Sequence, residues 1–319
     1  MRSAGALRYW WIWIAVVPVA AWTLLRLFAI DSGFPLATAM PFTPYVAVAA
    51  LLVTGVALAL SNWAATAVAA LATLCLAAAV LPRAIGDGTV SAAGHETVDV
   101  LSSNIHHGTA DPDAVVALVE RFHPDLLSVQ ELTPNFARRL RRAGLERLLP
   151  NKLIEVRKGS SGAGLYSRLP LRAIPGPDRF FFRMPRAELT LPDGRRVRVV
   201  GVHPYPPGRG EVDLWEEALS SLPAGGRGAP WVLAGDFNAT LDQSQFRDLV
   251  GRGYRDAGAV AGEGLEPTFP REGHAIPPIT IDHVLADSRL GVVDYGVEDL
   301  PGSDHRSIHA ELALPEEVR

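Results

Sequence analysis

WVLAGDFNAT, residues 231–240, runs five apolar or small residues straight into Asp236-Phe237-Asn238. An apolar run of that length reads as a buried strand, and the acid and amide at its end are delivered to one edge of a sheet. Other stretches repeat the arrangement. VDVLSS (98–103) stops at Asn104, DLLSV (125–129) at Gln130-Glu131, and RVVGV (198–202) at His203. Asp282-His283 lie within ITIDHVL (279–285), and Ser303-Asp304-His305 precede the last apolar run. Polar groups at so many strand ends imply one site assembled from distant parts of the chain.

The segments between these runs set the fold class. Strands are expected at 98–104, 126–131, 152–157, 162–167, 186–191, 196–203, 230–236, 279–285, 290–297 and 306–313. Asp111-Pro112 and Thr133-Pro134 each place a capping residue before a proline, which opens a helix. The first helix runs to about Phe122 and the second stops at Gly144. Two more helices are expected near 211–221 and 242–250. Asp193-Gly194 separates two strands as a hairpin turn does. The order is mixed α/β with hairpins, which fits two mixed sheets packed face to face with helices outside.

Charge is distributed unevenly along the 319 residues. Residues 1–82 hold four charged side chains, Arg2, Arg8, Arg26 and Asp31, and the other 60 follow them. Five of the seven Trp also lie in the first part. This excludes a plain soluble enzyme and a wholly disordered chain, and the apolar segments are too few for a large transporter. The reading is an all-α membrane anchor over 1–82, a small polar linker over 83–96, and a globular domain over 97–319. Residues 9–30 reach about 33 Å as a helix, enough to cross a bilayer. Residues 43–82 would stretch about 60 Å, twice the hydrocarbon core, so they must fold back. Ser61-Asn62 is the polar dipeptide near their middle and gives spans of 43–60 and 63–82. The spans contain no Asp, Glu, Lys or His, so no ion path is written there. Arg26 reads as an interfacial residue snorkelling outward. Arg2 and Arg8 precede the first span and 31–42 contains no Lys or Arg, which favours a cytoplasmic N-terminus and a domain outside the cytoplasm. A signal peptide cleaved near Ala37-Thr38-Ala39 is the competing reading, and it leaves the domain on the same side.

The polar strand ends supply Glu131, Asp236 and Asp304 together with amides and imidazoles. Such hard oxygen donors suit Mg²⁺ or Mn²⁺. The lone cysteine, Cys75, excludes an internal disulfide and a cysteine-based zinc site. Neither H-E-x-x-H nor G-x-S-x-G occurs, so zincin and serine-hydrolase readings fall away.

The blocks SSNIHHG (102–108), SVQE (128–131), GAGLYSRLP (162–170), GVHPYPP (201–207), LAGDFNAT (233–240), PTF (267–269), IDHVLA (281–286) and SDHRSI (303–308) together resemble the endonuclease/exonuclease/phosphatase superfamily. The resemblance covers about 98–314 and leaves the apolar part outside it. It implies a four-layer α/β sandwich and metal-assisted phosphoester hydrolysis. By resemblance, Glu131 matches the chief Mg²⁺ ligand with Asn104 beside it, and Asp304 a further metal-site acid. Asp236 and Asn238 match the pair that orients the attacking water and the phosphate. His203 matches the position that stabilises phosphate or protonates the leaving oxygen, and Asp282 and His305 match an acid–imidazole dyad. His305 is the natural base, since imidazole titrates near neutral pH. His106, His107 and Thr268 are candidates for the substrate side, whereas His283 and His309 read as structural.

The substrate stays open between nucleic acid, placed first as a nuclease-like phosphodiesterase, and a phospholipid or small phosphomonoester. A tethered binding domain without catalysis is the non-enzymatic rival. The net charge of −6 over residues 83–319 gives no global field for nucleic acid. A basic stretch over 138–158 could grip phosphates or simply be a solvated face. No protein partner can be inferred. A reporter fused after residue 90 is expected to be active only outside the cytoplasm, and a cytoplasmic signal there would reverse the orientation.

Overall fold

The computed structural model describes residues 9–177, 179–271 and 275–315. Twelve strands form two six-stranded sheets. The strands are β1 Thr97–Asn104, β2 Leu126–Gln130, β3 Asn151–Glu155, β4 Ala163–Ser167, β5 Leu171–Ala173, β6 Arg186–Thr190, β7 Arg196–Val202, β8 Trp231–Asp236, β9 Tyr254–Asp256, β10 Asp282–Asp287, β11 Gly291–Glu298 and β12 Ser307–Ala313. The first sheet has the order β11-β12-β1-β2-β4-β3 and the second β5-β6-β7-β8-β10-β9. Each contains one parallel pair, β1 with β2 and β7 with β8, among antiparallel neighbours. The parallel pairs decide the function, because parallel strands end on the same side. β1 and β2 deliver Asn104 and Glu131 to one edge, while β7 and β8 deliver His203 and Asp236.

The sheets face each other through Val98, Val100, Leu126, Leu165, Val199, Val232, Val284 and Ile308, all at or below 1% exposure. Helix Pro112–Phe122 and helix Pro134–Ala143 cover the outside of the first sheet. Helix Val212–Ser220 and helix Ser244–Val250 cover the second. The expected caps are in place: Asp111 accepts from the Asp113 N–H at 3.0 Å and Thr133 from the Phe136 N–H at 3.2 Å. Gly144 ends the second helix with φ of 104°, a conformation that favours glycine. The Asp193-Gly194 turn joins β6 to β7 as read from the sequence. β5 and β9, three residues each, were not expected.

Among the described residues, three helical stretches are long and apolar enough to cross a membrane: Trp10–Leu27, Leu36–Ala59 and Trp63–Val80. The first is shorter at both ends than the expected 9–30, and the second starts before 43 because Leu36–Ala39 and Met40–Phe42 continue into it. Asn62 caps the third, accepting from the Ala65 N–H at 3.3 Å. Ala50, Ala57, Ala65, Ala69 and Ala72 fill the seams between helices. Small residues allow the close backbone approach on which helix packing in lipid depends.

The apolar helices and the two-sheet domain are joined more tightly than a linker implies. Arg26 does not snorkel free: its Nε lies 3.2 Å from Asp242 Oδ1, and Arg83 Nη2 lies 2.6 Å from the same oxygen. The Asp242 side chain is fully buried. The Asp31 carboxylate accepts from the Ser244 N–H at 2.7 Å and from its hydroxyl, at the N-terminus of helix Ser244–Val250. Ala37 packs into the outer core of the second sheet. Within 83–96, expected as a linker, the Asp87 and Val90 N–H groups donate to Val260 O and Val292 O, so this stretch is laid along the domain. Removing one partner from a buried charge cluster leaves the others uncompensated. Asp242→Ala should therefore lower the unfolding free energy of the full-length chain by about 3–5 kcal/mol, read as a shift in denaturant midpoint in detergent. Arg26→Ala should cost less, because Arg83 keeps the shorter contact.

Candidate active site

At the shared edge of the sandwich, Asn104, Glu131, His203, Asp236, Asp282 and His305 are all buried side by side. Their convergence needs close strands. A Cβ at Gly235 would sit 2.0 Å from Val202 O, so only glycine lets β8 lie against β7 just before Asp236. Asn104 occupies the middle. Its Nδ2 donates to Asp236 Oδ2 at 3.0 Å and lies 3.4 Å from Glu131 Oε1, while its Oδ1 accepts from the His106 N–H at 3.1 Å. These partners fix the amide orientation, which an amide's own shape does not.

His305 Nδ1 lies 2.9 Å from Asp282 Oδ2, and its Nε2 faces Asp236 Oδ2 at 3.7 Å. Burial alone would discharge the imidazole, but the Asp282 and Asp236 carboxylates outweigh it and hold His305 up to about 10. Asp236 is pushed up to about 7 by burial, with the Asp282 charge adding to the effect. His203 behaves oppositely. Burial, then the neighbouring His305 and His107, push it down to about 3, so it stays neutral. Its Nε2 faces Asp236 Oδ2 at 3.7 Å and Glu131 Oε1 at 4.0 Å, and its ring meets Phe182 edge-on at 4.9 Å. Its buried Nδ1 has no hydrogen-bond partner.

Asn238 donates its N–H to Asp236 Oδ1 at 2.8 Å and its Nδ2 to Pro204 O at 3.2 Å, tying the β8 end to the loop after β7. Four of the seven described non-glycine residues with positive φ belong to the expected site: His106, His107, Glu131 and Asn238. Strain of this kind persists where surroundings over-determine it, and it collects at functional sites.

Not every expected role fits. Thr268 was expected on the substrate side, yet it is fully buried and its Oγ1 accepts from the Ile281 and Asp282 N–H groups at 3.0 and 3.1 Å. It holds the dyad's carboxylate in place and has no open face for a substrate. His106 Nδ1 lies 2.5 Å from Asp304 Oδ1, and His107 Nδ1 lies 3.0 Å from Glu131 Oε2, so both occupy acids of the site while remaining partly exposed. The compact acid–imidazole triad among the described residues is Asp236, Asp282 and His305, whereas the expected metal set was Asn104, Glu131 and Asp304.

One support escaped the sequence reading, and a second, His283, was expected to be structural. Ser303 Oγ donates to Asn104 O at 2.7 Å and accepts from the His305 N–H at 3.0 Å, linking two site residues 201 positions apart. Its place in the SDH triplet was the available clue. His283, beside Asp282 but on the other strand face, lies with Nδ1 2.7 Å from Asp256 Oδ2 and donates from Nε2 to Ala239 O at 2.9 Å. Burial opposes its charge but Asp256 prevails, so its value is raised, and the ring braces the loop that carries Asn238.

The sequence model of the Endonuclease/Exonuclease/phosphatase family matches residues 101–305. The chain therefore belongs to that family, whose members are phosphoester-hydrolysing enzymes. No individually curated protein matches the sequence. Among solved structures, the endonuclease/exonuclease/phosphatase from Beutenbergia cavernae is similar at 20% identity, covering 69% of this chain and 72% of that one with a TM-score of 0.52. A humanized TDP2 from D. rerio is similar at 18% identity, 68% and 98% coverage and a TM-score of 0.55. D. rerio TDP2 complexed with a single-strand DNA product shares 16% identity over 68% of this chain and 99% of that one, at a TM-score of 0.54. These likenesses establish the four-layer α/β sandwich.

The dyad makes a pH prediction for the metal-free protein. His305 is raised from its ordinary 6.5 to about 10, so its stabilising contribution is complete below 6.5 and is lost as pH rises through about 10. Asp282→Asn removes the carboxylate that favours the imidazolium, so the His305 resonance should titrate lower by NMR in the presence of chelator. An unmoved titration would separate the two residues.

Proposed function

We propose that the chain is a metal-dependent phosphodiesterase that hydrolyses its substrate by in-line attack of water. The observation that carries this reading is the buried Asp282–His305 pair, whose Nε2 faces Asp236 beside Asn104, Glu131 and a neutral His203.

The donor set fits a hard divalent cation. Glu131, Asp236, Asp282 and Asp304 outnumber the one imidazolium, His305, held among them, and the upward shift of Asp236 marks negative charge left uncompensated by burial. Glu131 and Asn104 would hold Mg²⁺, or Mn²⁺, with Asp304 contributing charge from the neighbouring loop. The ion would supply positive charge at the phosphate's equatorial oxygens. Asp282 would fix the His305 tautomer, and with the carboxylates that hold the ring charged offset by a bound cation, Nε2 would be free to take the proton from water. Asp236 and Asn238 orient that water and the phosphate. His203, neutral and with Nε2 toward the carboxylates, is placed to donate to a phosphate or leaving oxygen. His106 and His107, partly exposed at the rim, are placed to meet the substrate.

The nuclease-like version has support from the D. rerio relative's DNA complex. The phosphatase version draws on the same residues. The three apolar helices support a membrane location, and Arg2 and Arg8 ahead of the first of them favour a domain outside the cytoplasm. Full-length protein in detergent should cleave plasmid DNA or the soluble diester bis(4-nitrophenyl) phosphate with Mg²⁺ or Mn²⁺, and stop in EDTA. Asp236→Ala and His305→Ala should each lower turnover by about 10²–10⁴-fold. If both variants turn over as the parent does, the proposed roles of Asp236 and His305 fall; if the parent hydrolyses neither substrate with either metal, the binding-domain alternative gains.

A further inference from the structure

We propose that the phosphoester this site hydrolyses is borne by the bilayer in which the chain's own helices sit, so that the substrate class is a phospholipid headgroup ester. The proposal rests on the phosphoesterase reading above and adds where the substrate comes from.

Three of the loops that wall the site are seated on one end of the apolar helices. The loop that begins at His203 reaches Pro207, whose carbonyl accepts from the Thr38 hydroxyl. The loop that carries Asn238 reaches Gln243, which donates to Ala37 O at 2.8 Å, and Asp242, which Arg26 and Arg83 share. The loop before Asp282 contains Pro278, whose carbonyl accepts from Tyr45 Oη at 2.6 Å, and Gly264, whose N–H donates to Arg83 O at 2.9 Å. The lipid-facing helices therefore end against three sides of the catalytic edge. The buried Asp242 cluster and the Asp31 contact to Ser244 make that seating specific rather than a loose tether.

An aromatic strip leads from the site toward the same end. Phe182 packs on His203, Tyr205 lies 4.6 Å from Phe182, and Phe181, 62% exposed, lies 6.4 Å from Tyr205. Tyr205 stands two residues from Pro207, where Thr38 binds. On the anchor, Phe34 is 53% exposed. Aromatic rings at headgroup level are the usual furniture of a membrane interface. A lipid phosphate rising beside the strip meets His203 first, without leaving the interface. In the reaction a water oxygen bonds to phosphorus, one P–O bond of the diester breaks, and the alcohol leaves carrying the proton that the water gave up.

Tethering distinguishes this source from dissolved phosphoesters, because enzyme and substrate then share one surface at high effective concentration. Full-length protein is reconstituted with Mg²⁺ in vesicles of phosphatidylcholine and phosphatidylglycerol, and mixed with protein-free vesicles carrying a distinguishable isotope. Lipid in the protein's own vesicles should be hydrolysed about 10²-fold faster than lipid in the others. A separate arm uses Cys75→Ala with Phe181→Cys, labelled with an environment-sensitive nitrobenzoxadiazole dye. Its emission should shift to the blue in vesicles, whereas the same label at Asp193→Cys, on the opposite end of the sandwich, should stay water-like. Hydrolysis of bis(4-nitrophenyl) phosphate with no lipid turnover overturns the proposal and leaves the phosphoesterase reading standing. Equal rates in both vesicle populations, or a water-like label at 181, also overturn it. Hydrolysis of neither substrate with Mg²⁺ or Mn²⁺ removes both readings together.

Discussion

Negative charge gathered out of water is the constraint around which this molecule is arranged. An isolated buried carboxylate is costly unless it is paired, hydrogen-bonded or neutralised. Asp236 and Asp282 are nevertheless buried at one edge, with Glu131 beside them. The protein answers with His305, made cationic by the acids it serves, and with the Asn104 amide spread between Asp236 and Glu131. A second imidazole, His203, is kept neutral a few ångströms away. Two histidines in one pocket thus hold opposite protonation states because one lies directly against the Asp282 carboxylate, whereas the other is buried without such a partner and is repelled by the first. Pairs whose environments drive them apart are the usual mark of divided acid and base roles.

The same problem is solved twice on this chain. Asp242 is buried like Asp236, but its partners are two arginines rather than imidazoles, and arginine does not give up its proton at any ordinary pH. Charge there is fixed, and the contact holds parts together. At the catalytic edge the partners titrate, so charge there can move. Fixed and mobile charge lie six positions apart, at 242 and 236, which is how one loop joins the anchor to the chemistry.

Much of this could be read in the sequence because the strands announce their own ends. Runs such as WVLAG (231–235) are wholly buried, and a polar residue just after each joins the site: Asn104, His203 and Asp236 directly, and Glu131 one position beyond Gln130. The helix caps were equally legible, since Asp111 and Thr133 act on neighbours two and three residues away. What escaped depended on partners remote in the chain. Asp242 looks like any acid at a helix start, and only the approach of residues 216 and 159 positions earlier makes it a clamp. Thr268 was given to the substrate because a short polar side chain near a motif looks available, whereas both its bonds go to the backbone of the dyad strand. β5 and β9 are too short to leave a periodic trace.

The contact between Asp31 and helix Ser244–Val250 bears on how this domain could be studied in isolation. A chain cut near residue 90 would keep every side chain of the catalytic edge. It would nevertheless strip the acid from that helix's N-terminus, uncover the core where Ala37 packs, and strand Asp242 without either arginine. The damaged segment is 240–245, immediately beyond Asn238. A soluble fragment is therefore a different molecule at the place that matters most, and low activity in it would report excision rather than chemistry. During synthesis the order runs the favourable way, since the helices leave the ribosome first and the seat exists before the domain that needs it.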